Sequence, residues 1–91
     1  MARYHFKNHH YLAGNIRNAK TGEPVPGVQV SLPEYGIRAQ SDALGRFRMQ
    51  VEVPYQASVE LMARKPGYQP HEQYATMGNR SLDVDLEEDG L

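Results

Sequence analysis

Residues 14–32 read GNIRNAKTGEPVPGVQVSL and contain two alternating runs joined by a turn-rich connector. In the first run, which begins just before this stretch, Leu12, Gly14 and Ile16 share one face. In the second run, Val28, Val30 and Leu32 do so. Alternation with this period predicts strands that bury one face. Between them, Gly22 accepts positive φ, and Pro24 and Pro26 fix φ and lack an N–H donor. The stretch therefore predicts two strands that lie in facing layers and are joined by a tight connector.

The same alternation continues along the rest of the chain and predicts further strands. They cover residues 37–41, 47–53, 59–63 and 82–86, and polar turns close them at 33–36, 42–45, 54–57 and 65–68. Asp42 and Gly45 predict a hairpin turn, since aspartate caps its own backbone and glycine takes the left-handed conformation. Residues 69–80 show no steady period and are expected to form a long loop, with at most one weak strand near residues 74–77. Because no segment keeps helical spacing, the pattern predicts an all-β Greek-key β-sandwich of about seven strands.

Length and composition allow one domain and exclude several classes of protein. The chain has 91 residues, of which 40% are hydrophobic and 23% charged, so it can hold one core and is not disordered. With a net charge of -1, the chain lacks the excess of Lys and Arg that binds nucleic acid. No apolar stretch has the length or flanking residues of a membrane span or a signal peptide. The absence of cysteine excludes disulfides and thiolate metal sites and leaves the compartment open. We expect a sandwich over residues 12–88, with residues 1–11 as a tail or strand extension and residues 89–91 as a tail.

Three pieces of the chain resemble the carboxypeptidase regulatory-like family, whose fold is that of transthyretin. They are GNIRNAKTGEPVPGVQVSL at residues 14–32, SDALGRFRM at 41–49 and KPGY at 65–68, within a similarity over residues 12–86. The resemblance implies a transthyretin-like sandwich that serves as a spacer, docking surface or stabilising module in a larger bacterial envelope, surface or secretion assembly. It implies a place outside the cytoplasm, in the periplasm or at the cell surface, and a partner that is another protein or another domain of a parent chain. We expect no nucleic-acid partner, no membrane insertion and no cofactor, and no sequence pattern sets an oligomeric state.

One branch of the transthyretin fold, the 5-hydroxyisourate hydrolases, is enzymatic, and this chain shares little of its pattern. That family has a histidine in its first strand, an arginine after an Asp-Gly turn, a second, late histidine and a C-terminal Tyr-Arg-Gly-Ser. Here the first-strand position is Asn15, the arginine position is Arg46, and the chain ends in LEEDGL. We therefore expect no enzymatic activity and interpret Arg46 as a surface residue available for binding.

Histidines and acidic residues raise two metal-site alternatives, and the spacing disfavours both. His5 and His9 share a face of an extended strand but lie about 13 Å apart, at roughly 3.3 Å per residue, which is too far for one ion. A looped tail could instead bring them together with His10 and His71. Residues 85–90 (DLEEDG) have the opening spacing of a calcium loop without the bidentate glutamate that such a loop needs. We predict no metal site, and we interpret the acidic residues as the solvated face of the last strand.

Tyrosine supplies most of the aromatic surface, because the chain has six tyrosines, two phenylalanines and no tryptophan. Tyr35 and Tyr55 fall in predicted turns, where an exposed ring can anchor a protein partner. We predict these two as binding residues together with Arg46. The expected function is a non-catalytic interaction or spacer module that presents its loops and an exposed strand edge. These loops are residues 33–36, 54–57 and 69–80. A sugar- or peptide-binding module is the alternative from another class, and a hydroxyisourate hydrolase-like enzyme is the third.

Overall fold

Seven strands in two layers make up the fold of the computed structural model, which describes residues 9–52 and 57–89. In chain order the strands are β1 (His9–Asn18), β2 (Gln29–Leu32), β3 (Ile37–Gln40), β4 (Arg46–Glu52), β5 (Ser58–Arg64), β6 (His71–Thr76) and β7 (Leu82–Leu86). A three-stranded sheet has the order β4-β1-β7, and a four-stranded sheet has the order β3-β2-β5-β6. Helical structure among the described residues is limited to a 3₁₀ turn at Pro33–Tyr35. The prediction of an all-β Greek-key sandwich is confirmed. The described ranges contain no helix of the length and hydropathy that a bilayer crossing requires.

The chain changes layer four times, and two of these crossings lie at the predicted connector and at the predicted turn over residues 42–45. Residues 19–28 carry it from β1 in the three-stranded sheet to β2 in the four-stranded sheet, as predicted for the connector. Residues 42–45 form the predicted turn, in which the Asp42 N–H donates to the Arg46 carbonyl at 2.9 Å. The prediction that this turn joins a hairpin is wrong, because β3 pairs with β2 and β4 pairs with β1. The apolar face of β4 covers the core from the layer opposite β3, and the turn therefore bridges the two layers.

Alternation along the strands accounts for the core. Leu12 and Ile16 of β1, Val30 of β2, Leu61 of β5 and Val84 of β7 are fully buried, while the residues directly before and after each of them are at least partly exposed. Burying one such side chain stabilises a fold by about 1.5–3 kcal/mol relative to leaving it exposed. In β7 the apolar residues are buried and the acidic residues between them are exposed, as predicted.

Strand β6 corrects the prediction of a long loop over residues 69–80. It pairs with β5 along its whole length in antiparallel register, and only its second half overlaps the weak strand expected near residues 74–77. The sequence conceals the strand because the inward-facing residues at its start, His71 and Gln73, are polar. They are half-buried, with His71 Nε2 2.6 Å from Gln73 Oε1, and Ala75 is the one residue of β6 that reaches the core. Pairing with β5 therefore decides the conformation here, over the weak local signal.

Two buried polar residues hold the connector against the strands. Ser41 Oγ accepts the Val28 N–H at 2.8 Å and donates to the Val25 carbonyl at 2.9 Å. The Asn18 side chain accepts two backbone N–H groups of the turn that follows it, and its Nδ2 donates to Glu88 Oε2 at 2.6 Å. Across the described residues, every buried side-chain nitrogen and oxygen has a hydrogen-bond partner. The layer crossing is thus fixed by satisfied polar contacts as well as by packing.

Candidate functional surfaces

The two positions compared with the hydrolase family lie side by side on the outer face of the three-stranded sheet. Asn15 of β1 and Arg46 of β4 are direct partners across the antiparallel ladder. His71, the late histidine, lies on β6 in the other sheet. The pair therefore joins an amide and a guanidinium. These groups can bind an anion or a carbonyl, but the pair contains no histidine or carboxylate of the kind that usually serves as a general base.

A shallow groove of about 690 Å³ surrounds this pair. Residues of β1 and β4 line it, with Gln40 from the end of β3. Arg46, Arg48 and Arg80 give the groove a positive charge, which one lining carboxylate, Asp42, opposes. The groove therefore favours anionic ligands over neutral ones.

Tyr11 lies beside the groove, and the guanidinium groups of two arginines pack against its ring. The Cζ atoms of Arg48 and Arg80 lie 4.5 Å and 5.7 Å from the ring centroid. Arg48 reaches the ring because it pairs with Ala13, the next residue on this face of β1. Arg80 reaches it because the Gly78 N–H donates to the Tyr11 carbonyl at 3.0 Å, which holds the segment before β7 beside β1. Both separations are within the range of cation–π interactions.

Asp42 marks one end of the groove, and its own turn keeps it ionised. Its Oδ1 accepts the N–H groups of Leu44 and Arg46, each at 2.9 Å. The hydrogen bond from the Arg46 backbone, helped by the Leu44 N–H and by the Arg46 charge, lowers the pKa of the Asp42 carboxyl below its usual value of 3.8. The ionised Asp42 side chain therefore caps the turn that starts β4.

Substitution Asp42→Asn is expected to make the fold less sensitive to acid. Because the pKa is lowered in the folded state, the carboxylate stabilises the fold fully above the unfolded value of 3.8. This stabilisation is lost as the pH falls through the lower, folded value. Asparagine keeps the Oδ1 acceptor without the charge, so urea unfolding between about pH 5 and about pH 2 should show a flatter profile than the unsubstituted protein. The control is Asp83→Asn on the exposed face of β7, and equal acid profiles for Asp42→Asn and the unsubstituted protein would contradict the role given to Asp42.

The outer edge of β6 is a second candidate surface. β6 ends the four-stranded sheet, and no strand of the described chain pairs with its outer side. The Met77 N–H donates to the Ala57 carbonyl at 2.8 Å, in line with the β5–β6 register. Since hydrogen-bonded and non-hydrogen-bonded pairs alternate in an antiparallel ladder, the N–H and C=O groups of Glu72 and Tyr74 point to the free edge. The Tyr74 side chain beside them is 73% exposed.

The predicted binding residues do not form one site. Tyr35 ends the Pro33–Tyr35 turn and is 43% exposed, as expected of an exposed anchor. It precedes β3, whereas Arg46 follows the turn beyond the other end of β3, so the two lie at opposite ends of that strand. Tyr55 lies outside the described residues, and of the predicted loop at 54–57 only Ala57 is described.

The metal-site alternatives gain no support from the described residues. His5 and the side chains of His9 and His10 lie outside them. Among the described side chains, those of residues 11–51 and 57–89, no three of His, Cys, Asp or Glu converge in a way that would hold a metal ion.

A family model of the carboxypeptidase regulatory-like domain matches residues 11–87. The chain belongs to this family. The fold is also similar to the crystal structure of chlorocatechol 1,2-dioxygenase from Pseudomonas putida, with a TM-score of 0.59 and 17% identical residues. That similarity covers 93% of this chain and 62% of the dioxygenase chain, and at this identity it shows the fold alone. No curated protein matches the sequence.

Membership of the carboxypeptidase regulatory-like family is consistent with an accessory domain and does not assign either surface. The family match runs from within β1 to just beyond β7 and so covers both. Four residues on these surfaces were not predicted from the sequence: Tyr11, Tyr74, Arg48 and Arg80. Arg46 and Arg48 are two residues apart on one predicted strand and so share a face. This spacing could have identified Arg48 as a neighbour of Arg46 on the same surface. Arg80 comes from a segment predicted as loop and joins the groove only through tertiary pairing.

Proposed function

We propose that this carboxypeptidase regulatory-like domain is a non-catalytic interaction module that docks by adding a partner strand to the free edge of β6. The partner is another protein or another domain of a longer chain, in a bacterial envelope, surface or secretion assembly outside the cytoplasm. One observation carries the proposal: no described strand pairs with the outer side of β6, which offers its backbone groups beside the exposed Tyr74. Strand addition uses such backbone groups for affinity and alternate side chains for specificity.

Like charge along both edges of the three-stranded sheet, β4 and β7, supports the choice of β6. β4 places Arg46 and Arg48 on its exposed face. Strand β7 places Asp83 and Asp85 on its exposed face, and charge of one sign along an edge disfavours pairing with a further strand. β3 is also an edge, but it has four residues against six in β6. The exposed residues of β6 include one acidic residue, Glu72, beside the aromatic anchor Tyr74. A tyrosine in this position adds apolar contact area and a hydroxyl at low entropic cost.

The non-catalytic part of the proposal is supported by the chemistry of the groove. Its central pair is Asn15 and Arg46, which offers neither a histidine nor a carboxylate to act as general base. We expect 5-hydroxyisourate to decay at its uncatalysed rate when the protein is present. Faster decay would refute the non-catalytic part of the proposal.

Tyr74→Pro is expected to block docking without unfolding the domain. The Tyr74 N–H points away from β5, so proline there removes no hydrogen bond of the sheet but denies one to an added strand. With photoreactive benzoylphenylalanine at position 76 in the producing cell, irradiation should give one main protein adduct. Tyr74→Pro should lower its yield at least about ten-fold, as expected for the loss of a central edge contact.

Two controls make this test specific. Ala75→Pro lies one residue away, where the N–H points to β5, and it should destabilise the fold by about 2–4 kcal/mol. Benzoylphenylalanine at Leu44, which is 56% exposed on the 42–45 turn, should not give the adduct. An adduct at position 76 that persists in Tyr74→Pro, or that forms equally from position 44, would overturn docking through β6.

A further inference from the structure

The arginine groove on the three-stranded sheet is a second binding surface, separate from the β6 edge on the other sheet. We propose that it binds an extended acidic peptide segment whose carboxylates occur at alternate residues. Arg46 and Arg48 bind successive carboxylates, and Arg80 binds beside Arg48. The inference goes beyond the proposed docking function, because it assigns a different surface and a ligand of defined chemistry.

The three guanidinium groups are available to a ligand. No ion pair within 4.0 Å joins Arg46, Arg48 or Arg80 to a carboxylate in the described ranges. Asp42 lies nearest in the groove, and its Oδ1 is already engaged by two backbone N–H groups of its own turn. An arginine presents a planar fork of donors that matches a carboxylate in a bidentate arrangement. The groove therefore holds positive charge that Asp42 and the other described residues neutralise only in part.

Tyr11 positions two of these groups in advance. Its ring lies between the strand that carries Arg48 and the segment that carries Arg80, and it contacts both guanidinium groups. That segment is held by backbone bonds on the far side of β1, from Gly78 N–H to the Tyr11 carbonyl and from Ala13 N–H to the Asn79 carbonyl, each at 3.0 Å. Holding both groups on one ring lowers the conformational entropy that they lose when a ligand binds.

The spacing of the charges favours a peptide strand. Arg46 and Arg48 are two residues apart on one face of β4, so their side chains emerge about 6.7 Å apart. Alternate side chains of an extended peptide have the same repeat, which lets successive carboxylates meet successive arginines. A sugar would need an open aromatic face for stacking. Phe47 in the groove is buried, and the ring of Tyr11 is already covered by arginines. These observations favour an acidic peptide over an acidic polysaccharide.

Titration of the ¹⁵N-labelled domain by NMR tests the proposal with defined probes. The first is a peptide with alternating aspartates (GDTDTDTG), the second has the same composition with adjacent aspartates (GTDDDTTG), and the third is an oligogalacturonate. We expect the alternating peptide to bind most tightly, to shift the amides of Tyr11, Ala13 and Arg48, and to weaken as the ionic strength rises. Equal binding of the two peptides, or tighter binding of the oligogalacturonate, would overturn the assignment to an alternating acidic strand.

Substitutions in the groove provide the second arm of the test. Arg48→Gln and Arg80→Gln should each weaken the alternating peptide about three-fold, and the double variant about ten-fold, as expected for exposed charge pairs. Arg64→Gln on the exposed face of the four-stranded sheet is the matched control and should leave binding unchanged. Asp42→Asn should strengthen binding, because it removes the opposing charge and keeps the turn acceptor. Equal losses in Arg64→Gln and Arg48→Gln would show non-specific attraction and overturn the site.

Discussion

Substitution of Gly14 by alanine is expected to lower the free energy of unfolding by about 3 kcal/mol or more. A Cβ at Gly14 would lie 2.1 Å from the carbonyl oxygen of Leu82 and 2.9 Å from its carbonyl carbon. The two residues are direct partners where β1 meets the start of β7. Because the obstacle is backbone, no change of rotamer relieves it, and β7 must move away from β1. The effect therefore acts on the parallel ladder that completes the three-stranded sheet.

Thermal unfolding measures this effect directly. A loss of about 3 kcal/mol corresponds to a fall in Tm of at least about 12 °C for a domain of this size. The matched control is Asn15→Ala, the neighbouring position on the opposite face of β1, where a smaller side chain meets no obstacle and Tm should change little. A Gly14→Ala variant as stable as this control would mean that β7 does not approach β1 as closely as the structure shows.

Gly45→Ala is expected to destabilise the fold by a similar amount, about 3 kcal/mol, through two causes acting together. Gly45 has a φ of +76°, in the left-handed region that L side chains rarely adopt. A Cβ there would also lie 2.5 Å from the Ile16 carbonyl oxygen and 3.1 Å from the Val25 nitrogen. Those two atoms are hydrogen-bonded to each other at 3.0 Å, so the added carbon would press on the contact between β1 and the connector.

A second glycine separates the two causes. Gly22 has nearly the same φ, +77°, but an added Cβ would meet nothing within 4 Å. Gly22→Ala should therefore show the conformational part alone, about 1 kcal/mol. Urea unfolding measures the loss of unfolding free energy in each variant, provided that their m-values are equal. The difference between the two losses reports the crowding at Gly45. Equal losses in both variants would show that the Asp42 turn does not pack against β1 and the connector.

Most of the fold could be predicted from alternation because most strands bury apolar residues at every second position. β6 could not, since its half-buried residues are His71 and Gln73 and its conformation depends on pairing with β5. Asp42 and Gly45 were correctly identified as turn residues. Their local chemistry does not reveal whether the next strand returns to the same sheet or crosses to the other, because both outcomes satisfy the same turn hydrogen bonds.

The surfaces were less predictable than the fold, since they depend on which residues the topology brings together. Arg46 was found through a family pattern, and its pairing with Asn15 follows from the register of β1 and β4. Arg80 and Tyr11 are far apart in the sequence and meet only because the segment before β7 bonds to β1. Tyr74 lies in the weak strand expected near residues 74–77, but its place on a free sheet edge depends on the pairing of β6 with β5. A sequence pattern of period two reports burial on one strand and carries no information on its neighbours.

The parallel pairing of β1 with β7 has a mechanical consequence. Residues 14–18 pair with residues 82–86 in parallel register, so the chain enters β1 at one end of the sheet and leaves β7 at the other. Tension applied through flanking chain would act along these strands and load their hydrogen bonds in shear, all together and not one after another. Forced unfolding is governed by the unfolding rate, which such simultaneous loading keeps low. A fold with this pairing resists extension between the start of β1 and the end of β7.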